Sequence, residues 1–336
     1  MSYRSLISFS TVVLALAVWA APNSAAAAPE VVWRQSTEQP ADSLEGQGHQ
    51  KFAELVKKYS NGRMEIKIFP SEQLGKKAAV IDQLQAGTVH IFTSTAAYLT
   101  KWEPAMKYIS APFVFDDRAH WLRFMETDLG KGWLKNVEDK GGITLIGNYM
   151  DFPRGSWRVI VAKKPVKSIA DIKGLKLRMH PDKLAGAAWS HLGAEIRVRG
   201  WTSVYESLGK GIIEAVNSPA ALVESMRFYE KAPHITAHRE YEQSVGYMVN
   251  AKAYNSLPAD LRAAVDKAHA GASLYEQGLL DADTMASINR LKSKGVTYND
   301  SMDTGPFRTR MTKFYAARAK AGELPKGFLE AVDATR

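Results

Sequence analysis

DIKGLKLRMHPDKLAGAAWSHLGA, residues 171–194, carries the pattern of strand, turn and helix in succession. Leu175–Met179 reads as a short strand, His180-Pro181-Asp182 as a turn, and Lys183–Leu192 as a helix closed by Gly193. The chain then returns to strand at Ile196–Val198. This order belongs to an α/β lobe, in which ligands bind at the turns that leave the carboxyl ends of the strands. Arg178 is delivered to such a turn. A guanidinium stays protonated and offers a planar fork of donors that matches a carboxylate. The layout suits a fixed clamp for a small carboxylate. The competing reading is a structural ion pair with Asp182 or Glu214.

The same alternation continues outward. Ser203–Leu208 reads as a helix stopped at Gly211, and Ala215–Asn217 as a strand reaching Ser218-Pro219. Trp157–Lys163 is strand-like, so this α/β unit begins near Ser156. Another unit precedes it. Val31–Ser36, Met64–Phe69 and Val89–Phe92 are strands. Between them, Gln47–Tyr59 carries Phe52, Leu55, Val56 and Tyr59 at helical spacing, and Lys76–Gln85 is a helix stopped by Gly87. Ala119–Lys140 is mostly helical, and Ile143–Tyr149 is a strand. Later, Tyr247–Asn250 and Gly295–Tyr298 read as strands. Leu261–Leu291 is one long helical tract despite Gly271 and Gly278, and Phe307–Arg318 is an amphipathic helix. The expected fold class is α/β, with mostly parallel sheets in two lobes. A solute held between two such lobes is enclosed by a hinge motion.

The ends and the composition restrict the function. Arg4, the mostly apolar Leu6–Ala21 and the small residues Ala25–Ala28 follow the order of a secretory signal. Residues 1–28 are therefore expected to be removed by cleavage within Ala25–Ala28. The apolar stretch is too short and interrupted for a bilayer span. About 308 residues remain, enough for a large core and two lobes. The absence of cysteine excludes disulfides, thiol chemistry and a lipid-linked N-terminal Cys, and suits a freely diffusing periplasmic protein. The net charge of +9 is spread among acids, with no basic tail and no zinc-finger spacing, which argues against nucleic acid. The eight histidines lack metal-ligand spacing. No G-x-S-x-G, Walker or dinucleotide fingerprint is present, so neither catalysis nor a cofactor is expected.

Several segments together carry a family pattern. They are KFAELVKKYSNGRMEIKIFPSEQLG (51–75), IDQLQAGTVHI (81–91), APFVFDD (111–117), SIADIKGLKLRM (168–179), HLGA (191–194), SVYESLGKGIIEAVNSP (203–219) and GYMVNAKAYNSLPADLR (246–262). In order and spacing the chain resembles the DctP-type substrate-binding proteins of tripartite ATP-independent periplasmic (TRAP) transporters. The resemblance implies a two-lobe periplasmic binding-protein fold with an interlobe cleft, crossover strands and a long connecting helix. It groups residues 29–155 and 244–283 in one lobe, and 156–243 and 284–336 in the other. It implies capture of a small organic acid, transient docking to the transporter's integral membrane subunits, and a monomer. A binding component of another importer or of a sensor is the alternative, and a secreted enzyme a remote one.

The resemblance also places residues. Its principal carboxylate-binding Arg falls on Arg178, and a second recurrent Arg on Arg158, where the motif's glycine is replaced by Ser156. Its ligand-contacting Asn falls on Ser218, next to Asn217, so either side chain is expected to orient the ligand. Trp201, Tyr98 and Tyr149 are candidate walls of the site, and His180 and Glu38 candidate polar contacts. Arg154 is expected in a rim salt bridge. The candidate wall aromatics, with Phe152 and Trp157 near the crossover and Trp102 in the first-lobe loop, lean the reading toward an apolar or aromatic-bearing acid.

Overall fold

The computed structural model describes residues 28–336, apart from Met150, Ser156 and Glu242. The expected leader lies outside the described residues except for Ala28, as does Ser156. Among the described residues no helix is long and apolar enough to cross a membrane.

Two six-stranded sheets form two lobes. The first contains β1 (Val31–Thr37), β2 (Met64–Phe69), β3 (Ile91–Ser94), β4 (Ile143–Ile146), β5 (Phe152–Pro153) and β11 (Ser244–Asn250). Its order is β2-β1-β3-β11-β4, with β5 also paired to β11. The second contains β6 (Arg158–Ala162), β7 (Lys176–Met179), β8 (Glu195–Val198), β9 (Ala215–Pro219), β10 (His234–Ala237) and β12 (Thr297–Asn299), in the order β12-β10-β6-β9-β7-β8. The sheets are mixed. β1 runs parallel to β2 and β3, whereas β11 runs antiparallel to β3, β4 and β5. In the second lobe β6 runs antiparallel to β9 and β10, while β7 is parallel to both β8 and β9.

The two reversed strands share one cause. β6 enters the second lobe from the first across residues 154–157, and β11 returns across 238–243. A strand that arrives from the other lobe starts at the cleft, where the parallel strands end, and must run against them. Arg158 accordingly pairs with Pro219 at the end of β9, and Gly246 with Ser94 at the end of β3.

The long helix Ala259–Ser293 makes the third connection, packing on the helix Leu44–Tyr59 and on β5 of the first lobe and reaching β12 of the second. Gly271 does not break it; a Cβ there would come within 2.9 Å of Leu55, so the missing side chain lets the two helices close. Ala119–Lys140 is two helices, Arg118–Met125 and Asp128–Gly141. The Thr127 hydroxyl divides them, donating to Phe124 O at 2.7 Å and accepting from Gly130 N at 3.2 Å. The closing helix Phe328–Ala334 was grouped with the second lobe on sequence. Phe328 instead packs on Tyr108, Phe124 and Trp133, which belong to the first-lobe segment.

Candidate functional site

The strand ends that face each other leave a cavity of about 40 Å³ between the lobes. The first lobe contributes Glu38 and Gln39, just beyond β1, Lys77 at the start of the helix Lys77–Ala86, and Tyr98. The second contributes Arg158, Arg178, His180, Trp201, Asn217, Pro219 and Leu222. The crossing segments supply Arg154, Tyr241 and Gln243.

Four cations reach this cavity, and three are paired with carboxylates. Arg154 donates from Nε and Nη2 to both oxygens of buried Glu45, each at 2.7 Å. Burial pushes the Glu45 carboxyl up, but the Arg154 charge and hydrogen bonds from His49 and Arg154 outweigh it and hold the group at about 2. Arg158 donates to Glu240 at 3.3 Å and to Gln243 at 2.8 Å, and its guanidinium lies 4.7 Å from the Tyr241 ring centre. Lys77 stands 3.0 Å from Glu38, which also accepts from the Ser94 hydroxyl at 2.9 Å. Burial pulls the Lys77 ammonium down to about 8.

Arg178 differs. Its Nε donates to Arg199 O at 3.0 Å, and its guanidinium sits 5.2 Å from the Trp201 ring centre. Among the described residues no carboxylate pairs with it. It is only 5% exposed, and burial draws its guanidinium down to about 10. The competing ion pairs with Asp182 and Glu214 are not formed. Asp182 accepts from Leu184 N and Ala185 N as the cap of the helix Lys183–His191, and Glu214 accepts from Lys176 N. A buried cation without a counterion is costly. An anion that brings two acceptor oxygens relieves that cost.

Glu240 organises the second-lobe wall. It accepts from Trp189 Nε1 at 2.6 Å, from Asn217 Nδ2 at 3.2 Å and from Arg158, with His238 Nε2 at 3.1 Å. Asn217 is thereby oriented, while its Oδ1 stays buried without a hydrogen-bond partner.

The lobes also touch directly. Trp201 Nε1 donates to Gln39 Oε1 at 3.2 Å. Next to it, Thr202 Oγ1 donates to Glu72 at 2.6 Å and accepts from Lys76 Nζ at 2.7 Å, while Lys76 and Glu72 also pair with each other. Ser71 and Glu72 both adopt left-handed backbone, at φ 52° and 60°. Their N–H groups donate to Gln39 O and Thr37 O, which ties this loop to the cavity-lining end of β1.

The sequence profile described as DctP, bacterial extracellular solute-binding protein, family 7, matches residues 35–321. The chain belongs to this family. It is therefore a TRAP-type periplasmic solute-binding protein, which captures a small organic acid for delivery to its transporter. It is 27% identical to the C4-dicarboxylate-binding periplasmic protein DctP of Rhodobacter capsulatus over 260 residues, 76% of each chain. It is 26% identical to the 2,3-diketo-L-gulonate-binding periplasmic protein YiaO of Escherichia coli, over 76% of this chain and 77% of that one. Among solved structures, a TRAP solute-binding protein of Roseobacter denitrificans with bound L-galactonate superposes with a TM-score of 0.80 at 25% identity, covering 92% of this chain and 99% of that one.

In this solute-binding protein Arg178, Arg158, Asn217, Trp201, Tyr98, His180 and Glu38 line one cavity. Ser218 and Tyr149 do not line it. Ser218 follows Asn217 on β9 and so faces the other side of the sheet, where its hydroxyl donates to Pro219 O at 2.9 Å. Tyr149 lies over Gly246, where a Cβ would meet its ring at 2.8 Å, and its hydroxyl bonds Thr95 and Ser244 O inside the first lobe. Lys77, Gln39, Tyr241 and Gln243 escaped the sequence reading. Only the position of Gln39, two residues beyond the end of a strand, marked any of them.

Proposed function

We propose that the captured solute is a small hydroxylated carboxylate, of the aldonate kind, bound through Arg178, for which the lobes part beyond the volume of about 40 Å³ they enclose here. The observation that carries this reading is the buried Arg178 guanidinium, which has no carboxylate partner among the described residues while the other cavity cations do. The carboxylate takes the Arg178 fork. Arg158, already shared with Glu240 and Gln243, reinforces the local positive potential. The solute's hydroxyls meet Asn217 Oδ1, which needs a donor, and the side chains of Glu38, Gln39 and Gln243. Trp201, stacked under Arg178, covers the carbon chain.

The lean toward an aromatic acid keeps Tyr98 and Trp201, which line the cavity with Tyr241, but its other aromatics lie elsewhere. Phe152 packs on Tyr247 in the first-lobe core, and Trp157 donates to the Tyr298 hydroxyl at 3.1 Å, outside the cavity. Relatives named for 2,3-diketo-L-gulonate and L-galactonate bind polar acids, which supports the same choice. The leader is cleaved within Ala25–Ala28, and the mature chain works as a monomer that docks transiently on the integral membrane subunits.

A thermal-shift panel followed by calorimetry tests this reading. Galactonate and related hydroxy acids are expected to raise the melting temperature most, with aromatic acids producing little change. The absence of stabilisation by any carboxylate would sink it.

A further inference from the structure

We infer that the cavity is matched in charge to a single carboxylate, and that Glu38 is the residue that rejects a second one. This rests on the proposed seat of the carboxylate at Arg178. Around the cavity, Arg154 is neutralised by Glu45, Arg158 by Glu240 and Lys77 by Glu38, at 2.7, 3.3 and 3.0 Å. Among the described residues, Arg178 supplies the one positive charge at the cavity that no carboxylate matches. The neighbouring groups do not add to it. Asp182 is a carboxylate outside the cavity lining, its charge met by the first N–H groups of the helix Lys183–His191, and it lies 3.5 Å from His180, while His238 lies 3.1 Å from Glu240. Burial holds both imidazoles below the usual histidine range, so they are neutral near pH 7.

The location of Glu38 gives it this role. With the carboxylate on Arg178 in the second lobe, the far end of a small solute meets the first-lobe wall, where Glu38 and Lys77 stand. The two walls are electrostatically close, since the Arg178 charge bears on both Glu38's partner Lys77 and on Tyr98. A hydroxyl arriving there donates to the Glu38 carboxylate and is welcome. A second carboxylate would lie beside Glu38, two like charges in a buried space, and could reach Lys77 only by displacing Glu38. Ser94 holds Glu38 in place from behind, so it cannot swing away without losing that bond. The filter separates this chain's solute from the C4-dicarboxylate for which one relative is named.

The test uses diacid and monoacid pairs of the same chain length. Calorimetry on the mature protein compares galactonate with galactarate, and butyrate with succinate, at neutral pH and fixed salt. Each monoacid is expected to bind at least tenfold tighter than its diacid. Glu38→Gln keeps the shape and the Ser94 contact, and is expected to narrow that ratio at least fivefold. Lys77→Gln, which removes the cation instead, is expected to widen it, and serves should Glu38→Gln fail to fold. Diacids that match their monoacids in the natural protein, or a ratio unmoved in both variants, overturn the filter while leaving carboxylate capture intact. If no acid of either pair binds, the seat at Arg178 falls too.

Discussion

Three arginines line the cavity, and their partners divide them into structural and functional groups. Arg154 is held in two short bonds to Glu45, both side chains buried. Removing one member of such a pair leaves the other charged, dry and alone, which costs about 3–5 kcal/mol. Glu45→Gln is therefore expected to lower the free energy of unfolding at pH 7 by about 3 kcal/mol, measured by denaturant titration. The pH dependence has a definite sign. The folded carboxyl titrates at about 2 and the unfolded one near 4.5, so the unfolded chain binds the proton first. The pair's contribution is complete above pH 4.5 and disappears as pH falls toward 2. The gap between natural and Glu45→Gln proteins should close over that window, and a constant gap would show that the pair is not ionic. Arg178→Ala, by contrast, removes a buried charge without a partner and is expected to leave stability unchanged or raised.

At the scale of elements, the turn before the helix Leu44–Tyr59 is where fold and site meet. Ser43 caps that helix by accepting from Gly46 N at 3.0 Å. A Cβ on Gly46 would fall 2.3 Å from Pro40 O and 2.5 Å from Ala41 O, both backbone atoms of the turn that follows Gln39. Gly46→Ala is expected to cost about 2 kcal/mol or more and to weaken solute binding as well. Gly132→Ala, in the helix Asp128–Gly141 with nothing beyond the neighbouring helix backbone within 4 Å of its new Cβ, is the control, and should stabilise by up to about 1 kcal/mol. Thermal melts and calorimetry on both variants separate the two effects. The same scale explains what the sequence reveals. The lobes were legible because their strands and helices carry local apolar patterns, and Arg178 because a charge ending an apolar strand is conspicuous. Tyr149 was misplaced because its position depends on Gly246, almost a hundred residues away. Lys77 and Tyr241 carry no local signal. A lysine at a helix start and a tyrosine in a loop look solvent-facing until the crossing segments fold them into the cleft. The reversed direction of β6 and β11 was invisible for the same reason, because it follows from where the chain comes and not from which residues the strands contain.

For the whole molecule, the hinge motion expected of two such lobes would make capture a closure over a charge and release a reopening for the transporter. Trp201 touches both partners in that event, stacking under Arg178 and bonding to Gln39 across the cleft. Thr202 completes the closure on Glu72 and Lys76, with the left-handed Ser71-Glu72 pair holding the loop in reach. Left-handed backbone at such residues is costly and persists where the surroundings enforce it. Thr202→Val keeps the volume and removes both hydroxyl bonds, a loss of about 1 kcal/mol from the closed form alone. Stopped-flow tryptophan fluorescence should show solute dissociation roughly fivefold faster with association unchanged. Equal dissociation rates would mean that this contact does not govern opening. Capture itself turns on one contact, an organic acid held by Arg178, the cavity guanidinium with no carboxylate partner among the described residues. Isothermal titration of Arg178→Ala with the acid that binds the natural protein tests it most directly. The expected result is a folded protein whose affinity has fallen at least about 100-fold, close to 3 kcal/mol. Binding within a few fold of the natural protein would mean that the acid is held elsewhere.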